Sequence, residues 1–254
     1  MNIVVCFKVV SEEQDITVNA DNTLSAQKAE PKISPYDLNA IEAAVQLAVS
    51  TGGKVTAVSI GGNKLENGKV RKDVLSRGAD ALSLVVDDSL ADLLPYQSAQ
   101  VLKAALAKLE YDVVLCGEGS ADLYAQQVGV LLGEMQGLPA INAVSKITPE
   151  GAKLLVEREL ETEVEVLEVP TPGVLCVTSD INTPKIPSMK NILAAGKKPV
   201  NVIALAELGL DGMAAKAQLE SILAPERAER KKVIIEGDSD EAVADFAQHI
   251  RKVL

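Results

Sequence analysis

Aromatic residues are scarce in this sequence, and tryptophan is absent. Phenylalanine and tyrosine together make up 2% of the 254 residues. Surfaces that stack nucleobases need exposed aromatic side chains, and the formal net charge of −11 repels phosphate backbones and anionic membranes. We therefore expect no nucleic-acid partner. The core must be built from valine, leucine, isoleucine and alanine, which suits a parallel sheet covered by helices.

Side chains that ligate metals or act as nucleophiles are also rare. His249 is the only histidine, and the three cysteines, Cys6, Cys116 and Cys176, form no CxxC pair. This argues against a zinc site and against a histidine-dependent catalytic triad. Each cysteine lies in an apolar run, which predicts a buried thiol in a reducing compartment.

Long apolar runs are missing as well. No run approaches the length of a membrane span, and residues 1–15 lack the basic region and cleavage site of a secretory signal. We therefore expect a cytoplasmic protein that does not insert into membranes.

The first half of the chain alternates predicted strands and helices. Strands are predicted at 2–10, 54–60, 81–86 and 112–116, with helices at 35–51, 64–77, 95–109 and from near Leu123 to Gly137. Right-handed connections between such units give an α/β, Rossmann-like, mostly parallel sheet with helices on both faces. Ligands of open parallel sheets bind beyond the carboxyl ends of the strands, where the loops after Val10, Ile60 and Cys116 would meet.

The second half departs from this alternation. Strands are predicted at 141–147, 153–159, 163–169 and 173–178, with a β-hairpin turning at Glu161-Thr162, and a short helix at 189–195. A glycine-, proline- and charge-rich stretch precedes a predicted strand at 232–235 and an amphipathic helix at 239–254, whose apolar stripe needs a surface to pack on. We therefore divide the chain into an α/β domain, 1–224, and an extended C-terminal arm, 225–254.

Residues 112–129 contain the strongest candidate for a binding site. A buried strand leads through Gly117 and Gly119 to Ser120, Asp122 and a helix start, a geometry that presents backbone N–H groups to a phosphate. The stretch matches neither G-x-G-x-x-G nor a P-loop. Taken alone, the stretch is better explained by glycines needed only for a tight strand-to-helix turn.

The polar loop 179–188 contains two prolines and the apolar residues Ile181 and Ile186. Exposed apolar side chains on an ordered loop are typical anchors for a partner protein. The alternative is that both side chains return to the core.

Five segments, in the same order, resemble the β subunit of an electron-transfer flavoprotein over essentially the whole chain. They are IVVCFKVV near the N-terminus, residues 34–44, the loop 117–129, residues 156–159 with the acidic stretch up to Pro172, and DINTPKIPSMKNILAA. The segment DLYAQQVG, residues 122–129, most resembles the sequences of the bacterial branch linked to carnitine and acyl-CoA metabolism.

The resemblance implies an electron carrier without an active site of its own. Such a β subunit pairs with an α subunit that holds most of the FAD, and its C-terminal arm completes the α subunit's FAD domain. Electrons pass from an acyl-CoA-type dehydrogenase to a quinone reductase. The β subunit usually buries a structural AMP, which a second FAD replaces in the bifurcating branch.

The resemblance also assigns residues to the two sites. The AMP-binding positions are Cys6, Ser34, Pro35, Tyr36, Asp37, Ile60, Gly117, Glu118, Gly119, Ser120, Ala121, Asp122, Leu123, Tyr124, Ala125, Gln126, Gln127 and Val128. Backbone N–H groups at 119–123 and at the following helix start would hold a phosphate, and Cys6 and Ile60 would flank an adenine. Asp122 would orient a ribose hydroxyl or cap the helix.

The partner-docking positions implied by the resemblance are Ile181, Asn182, Pro184, Lys185, Ile186, Met189 and Glu159. Ile181 stands where the family has its anchor, most often a leucine, and Glu159 matches a glutamate that contacts the mobile FAD domain. Glu159 is also explained as an exposed strand acid. Leu123-Tyr124-Ala125 departs from the bifurcating pattern, and a tyrosine beside the pocket is expected to restrict it in favour of AMP.

Two other nucleotide-binding classes share this fold. A PP-loop adenylating enzyme needs an S-G-G-x-D-S-type loop after the first strand, where this chain has Val9-Val10-Ser11-Glu12-Glu13. A universal-stress-type sensor needs a G-x-x-G-x-G-S/T pattern after the fourth strand, which is absent. Measurable ATP turnover would favour the first class, and a homodimer that binds ATP reversibly the second.

Overall fold

The computed structural model describes residues 1–210, 213, 215–226 and 232–252. The strands within these ranges are β1 (Asn2–Cys6), β2 (Val9–Ser11), β3 (Thr17–Val18), β4 (Leu24–Ser25), β5 (Pro31–Ile33), β6 (Lys54–Gly61), β7 (Ala81–Val86), β8 (Val113–Gly117), β9 (Ala140–Glu150), β10 (Lys153–Glu159), β11 (Val164–Pro170), β12 (Gly173–Val177) and β13 (Val200–Ile203). The helices are α1 (Pro35–Thr51), α2 (Gly68–Ser76), α3 (Pro95–Leu106), α4 (Val128–Gln136), α5 (Met189–Ala195) and α6 (Asp240–Arg251).

Nine strands form one central sheet in the order β11-β10-β9-β12-β8-β1-β6-β7-β13. Seven of them, from β9 to β13 in that order, run parallel, while β10 and β11 form an antiparallel hairpin at one edge. The predicted mostly parallel, Rossmann-like α/β sheet with a hairpin region is therefore confirmed.

Alternate residues of the central strands pack against helices on the two faces of the sheet. On one face, Ile3 and Val5 of β1 pack with Ile41 and Leu47 of α1. On the other face, Val4 and Cys6 belong to a cluster that includes Leu102 and Leu106 of α3 and Leu132 of α4. Burial on both faces explains why these strands read as continuous apolar runs.

The first strand is shorter than predicted. β1 ends at Cys6, and β2 pairs antiparallel with β5 instead of continuing the central sheet. The break falls at Lys8, whose N–H donates to the Asp37 carboxylate at 2.7 Å and whose carbonyl accepts from Ser34 N–H at 2.9 Å. These hydrogen bonds with the start of α1 explain why the backbone leaves the central sheet at Lys8.

Three other predictions of secondary structure need correction. The helix expected near Leu123 begins at Val128, because Tyr124 and Gln126 have φ angles of +45° and +56°, which a helix does not allow. The segment 64–77 divides into a 3₁₀ turn, Asn63–Glu66, and α2. Residues 232–235 form no strand.

The described part of the last helix, α6, leaves its apolar stripe uncovered. Val243, Phe246 and Ile250 are all exposed, and none of the α6 residues is buried. The predicted helix 239–254 also includes Val253, which lies outside the described residues. Among the helices of the described ranges, none is long and apolar enough to cross a membrane.

Candidate functional site

A cleft of about 840 Å³ opens at the carboxyl-end edge of the central sheet. Its floor is apolar and comes from the ends of β1, β6, β8 and β12 together with α3; it comprises Cys6, Ile60, Leu102, Cys116 and Cys176. The segments that follow β1, β6 and β8 all reach this cleft, as expected for ligand sites of open parallel sheets. The thiols of Cys6, Cys116 and Cys176 are buried, and burial holds the pKa of Cys176 well above its usual value.

The loop 117–127, which we call the nucleotide loop, is fastened to the start of α1. A Cβ atom added at Gly117 would lie 2.6 Å from Asp37 Oδ1 and 2.8 Å from the Tyr36 carbonyl carbon, so only glycine allows this approach. Ser34 occupies the N-cap position of α1, but its Oγ accepts the N–H of Ala121 at 3.3 Å. The cap residue therefore holds the loop rather than the helix.

The start of α4 provides a seat for an anion. The backbone N–H groups of Val128, Gly129 and Val130 have no acceptor among the described residues, and Gln127, Val128 and Gly129 line the cleft. Free N–H groups at a helix N-terminus attract phosphate or carboxylate oxygens. A Cβ atom at Gly129 would lie 2.3 Å from Cys176 Sγ, so glycine lets the helix start reach the cleft floor.

Part of the nucleotide loop is already engaged within the protein. The N–H groups of Ala121, Leu123 and Tyr124 donate to Ser34 Oγ, Asp122 Oδ1 and the Ser120 carbonyl. The expectation that N–H groups throughout 119–123 are free for a phosphate is therefore wrong at two of those positions, and the helix start remains.

A lysine and an aspartate form an ion pair inside the cleft. Lys8 Nζ lies 2.5 Å from Asp122 Oδ2, while Asp122 Oδ1 accepts hydrogen bonds from Ser120 Oγ at 2.5 Å and Leu123 N at 2.9 Å. Burial raises the pKa of Asp122, but the hydrogen bonds from Lys8 and Ser120 outweigh burial and leave this pKa below its ordinary value. Asp122 thus closes the loop's own turn and does not cap α4.

Asp37 joins three elements beneath this pair. Its buried carboxylate accepts the N–H groups of Lys8 at 2.7 Å and Gly117 at 3.3 Å. Burial raises the pKa of Asp37 to about 7, although these two hydrogen bonds favour the charged form.

Tyr124 does not line the cleft. Its ring packs over Gly119, where a Cβ atom would lie 2.6 Å from Tyr124 Cδ2, and against Tyr36, with ring centroids 5.0 Å apart. This position of the ring gives no support to the expectation that Tyr124 restricts the cleft. Ser34, Pro35 and Tyr36 also lie behind the loop and outside the lining.

The remaining residues assigned to the nucleotide site all line the cleft. They are Cys6, Asp37, Ile60, Gly117, Glu118, Gly119, Ser120, Ala121, Asp122, Leu123, Ala125, Gln126, Gln127 and Val128. Lys8 and Lys64 line it too and were not assigned to it from the sequence. The sequence signal for a role of Lys8 in the cleft was that this lysine interrupts the apolar run 2–10.

The predicted docking positions divide into half-buried and exposed groups. Ile181 is half-buried and packs on the core beside α1 and β9, whereas Ile186 is 93% exposed. Met189 and Leu193 of α5 are also exposed, and we call these three side chains the apolar ridge. Asn182 and Lys185 bond to α1, Pro184 is half-buried, and Glu159 is exposed at the end of β10.

A family comparison agrees with this architecture. The model of the electron transfer flavoprotein domain matches residues 21–208, which include the nucleotide loop, the hairpin, the loop 179–188 and α5. The match covers well over half of the chain, and proteins with this domain are electron carriers. This chain belongs to the electron transfer flavoprotein family.

Proposed function

We propose that this chain is the β subunit of an electron-transfer flavoprotein, of the bacterial branch linked to carnitine and acyl-CoA metabolism. In this proposal it works in the cytoplasm as half of an αβ heterodimer and has no active site of its own. Electrons from an acyl-CoA-type dehydrogenase reach a quinone reductase through FAD held mainly by the α subunit. The β chain supplies the scaffold, the docking surface and the C-terminal arm.

The cleft is proposed to hold a structural AMP, and the free N–H groups at the start of α4 carry this proposal. They form one anion seat, which matches one phosphate. Lys8 and Lys64 are the cations among the described lining residues, whereas the acidic residues are Glu13, Asp37, Asp92, Glu118 and Asp122, so the charge balance disfavours polyphosphates. The apolar floor, with Cys6 and Ile60, suits a purine ring.

A second FAD in place of AMP is the alternative, as in a bifurcating-type β subunit. The cleft volume of about 840 Å³ favours this alternative, because it lies near the upper end of small-molecule sites and exceeds what one mononucleotide fills. Tyr124 presents no obstacle, since its ring lies outside the cleft.

The dehydrogenase is proposed to dock on the apolar ridge. Exposed apolar side chains rimmed by polar residues mark interaction surfaces. Residues 179–200 contain four lysines and one aspartate, in a chain whose net charge is −11. This local reversal of charge favours a partner surface with an apolar pocket and an acidic rim.

The C-terminal arm, 225–254, is proposed to pack on the α subunit. The exposed stripe of α6, with Val243, Phe246 and Ile250, supports this proposal, because an amphipathic helix is stable only when its apolar face is covered.

The test is to co-express the chain with an electron-transfer flavoprotein α subunit and to analyse the purified complex. We expect a yellow 1:1 complex that releases one FAD and one AMP per dimer on denaturation. Release of two FAD molecules would establish the bifurcating alternative. A chain that remains monomeric and does not bind the α subunit would refute the proposed function.

A further inference from the structure

Helix α1 buries an unusual number of polar side chains. Ser34, Asp37, Asn39 and Glu42 lie on its first turns, and they are four of the seven buried polar or charged side chains among the described residues. Burying such groups is unfavourable unless each finds a hydrogen-bond partner. Ser34 and Asp37 find theirs in the nucleotide loop, whereas Asn39 and Glu42 find theirs in the loop 179–188, which we call the docking loop.

Asn39 and Asn182 exchange hydrogen bonds. Asn39 Nδ2 donates to the carbonyls of Asn182 at 2.8 Å and Ser179 at 3.0 Å, and Asn182 Nδ2 donates to the Asn39 carbonyl at 3.0 Å. Asn39 is only 7% exposed, so water does not substitute easily for these partners. This exchange fixes the first half of the docking loop on the helix.

Glu42 holds the second half of the docking loop. Its carboxylate, 4% exposed, accepts from Lys185 Nζ at 2.9 Å and from the Lys185 backbone N–H at 3.5 Å, while Gln46 Nε2 donates to it at 2.8 Å. Burial raises the pKa of Glu42, but the hydrogen bonds from Lys185 and Gln46 outweigh burial and lower it. The residue after Lys185 is Ile186, the most exposed member of the apolar ridge.

We propose that Asn39 and Glu42 are positioning residues for partner recognition, which hold the docking loop on α1 so that Ile186 is presented to the dehydrogenase. The two positions are three residues apart and therefore share one face of the helix. Neither side chain reaches the surface itself, so each acts through the loop. The inference rests on the proposed function, because it assumes that the docking loop meets a redox partner.

The first experiment compares Glu42→Gln, Asn39→Ala and wild-type αβ complexes in electron transfer from a reduced acyl-CoA-type dehydrogenase. We expect KM for the dehydrogenase to rise about fivefold to tenfold and kcat to stay within about twofold, because a mispositioned anchor weakens docking and not the electron step. AMP content, FAD content and the flavin redox potential should not change. Glu134→Gln, an exposed glutamate on α4, is the matched control and should keep the wild-type KM.

The second experiment measures hydrogen exchange and does not need the dehydrogenase. Residues 183–189 should exchange faster in Glu42→Gln than in wild type, while β8 and β12 keep their protection. Lys185→Gln removes the same ion pair from the exposed side and should reproduce both effects if Glu42→Gln folds poorly. An unchanged KM with unchanged loop exchange would overturn the inference, as would a loss of protection throughout the sheet in both Glu42→Gln and Lys185→Gln.

The two experiments separate failure of this inference from failure of the proposed function. If no acyl-CoA-type dehydrogenase reduces the wild-type complex, the proposed function fails whatever the variants do. If wild type is reduced and Glu42→Gln matches it in KM, only the positioning role fails.

Discussion

The carboxylate of Asp37 accepts the backbone N–H of Gly117 at 3.3 Å, which joins the first turn of α1 to the end of β8. The same carboxylate accepts the N–H of Lys8, so one buried group sets the spacing of three segments around the cleft. Asp37 is therefore both a structural group of the site and a titratable one.

Asp37 should make the stability of the protein depend on pH. Its pKa of about 7 lies above its ordinary value of 3.8, so the folded protein binds a proton that the unfolded chain releases between pH ~4 and ~7. The free energy of unfolding should fall by on the order of 4 kcal/mol as pH rises through this window and level off above it. Asp37→Asn should flatten this dependence in denaturant titrations at several pH values.

Asp180→Asn, which removes one carboxylate at an exposed position, is the matched control. An Asp37→Asn protein with the wild-type slope between pH 4 and 7 would show that another group titrates there.

Gly129→Ala should destabilise the protein by about 1–3 kcal/mol, because its Cβ atom would overlap Cys176 Sγ. The start of α4 would have to move from the cleft floor, so bound nucleotide should fall as well. Gly68→Ala, at the start of α2 where nothing lies within 4 Å of the added atom, should be neutral or slightly stabilising. Thermal unfolding and nucleotide content of both variants check this, and equal stability would contradict it.

Lys8→Gln should weaken nucleotide binding by roughly tenfold, because it removes a cation from the cleft lining. Calorimetric titration of nucleotide-depleted complex measures the affinity. Lys153→Gln removes a comparable ion pair with Glu168 on the exposed hairpin and should leave affinity unchanged. Equal affinity in the two variants would mean that Lys8 does not face the bound phosphate.

Ile181→Ala and Ile186→Ala should differ in kind. The side chain of Ile181 packs on the core, so its truncation should lower thermal stability as well as electron transfer. Ile186 is almost fully exposed, so its truncation should raise KM for the dehydrogenase severalfold with stability and cofactor content unchanged. Steady-state kinetics beside thermal unfolding distinguish the two, and a normal KM for Ile186→Ala would remove it from the docking surface.

Phe246→Asp should weaken assembly with the α subunit by at least tenfold, because a charge would enter the apolar stripe of α6. The lone chain should unfold as the wild type does, since Phe246 is exposed there. Analytical ultracentrifugation of mixed subunits measures the change. Gln248→Glu, a charge change at an exposed position outside the stripe, is the control.

The positions of most helices and strands followed from the sequence because their signals are local. Apolar runs such as 81–86 are buried on both faces, and Pro35 and Gly52 bound α1 as their φ preferences require. The break of the first strand at Lys8 did not follow, because its cause is hydrogen bonding to Ser34 and Asp37, more than 25 residues away.

Only part of the candidate site could be predicted from the sequence. The segment 117–128 was recognisable from its glycines and its place between a strand and a helix. The orientation of the Tyr124 side chain could not be predicted, because it depends on a positive φ angle and on packing against the ring of Tyr36. Nor does spacing along the chain reveal that Glu42 bonds to Lys185, since 143 residues separate them.

The sequence by itself determined the class of fold, the parallel direction of the first strands and the family, because apolar periodicity and short motifs act over a few residues. The tertiary structure alone decided which N–H groups remain free, which isoleucine is exposed and which loops α1 holds. These outcomes depend on buried polar groups finding partners across the fold, and burial of Asp37, Asn39 and Glu42 has no local signature. Helix α1 holds both the nucleotide loop at the cleft and the docking loop. These contacts could not be predicted from the sequence of the helix itself.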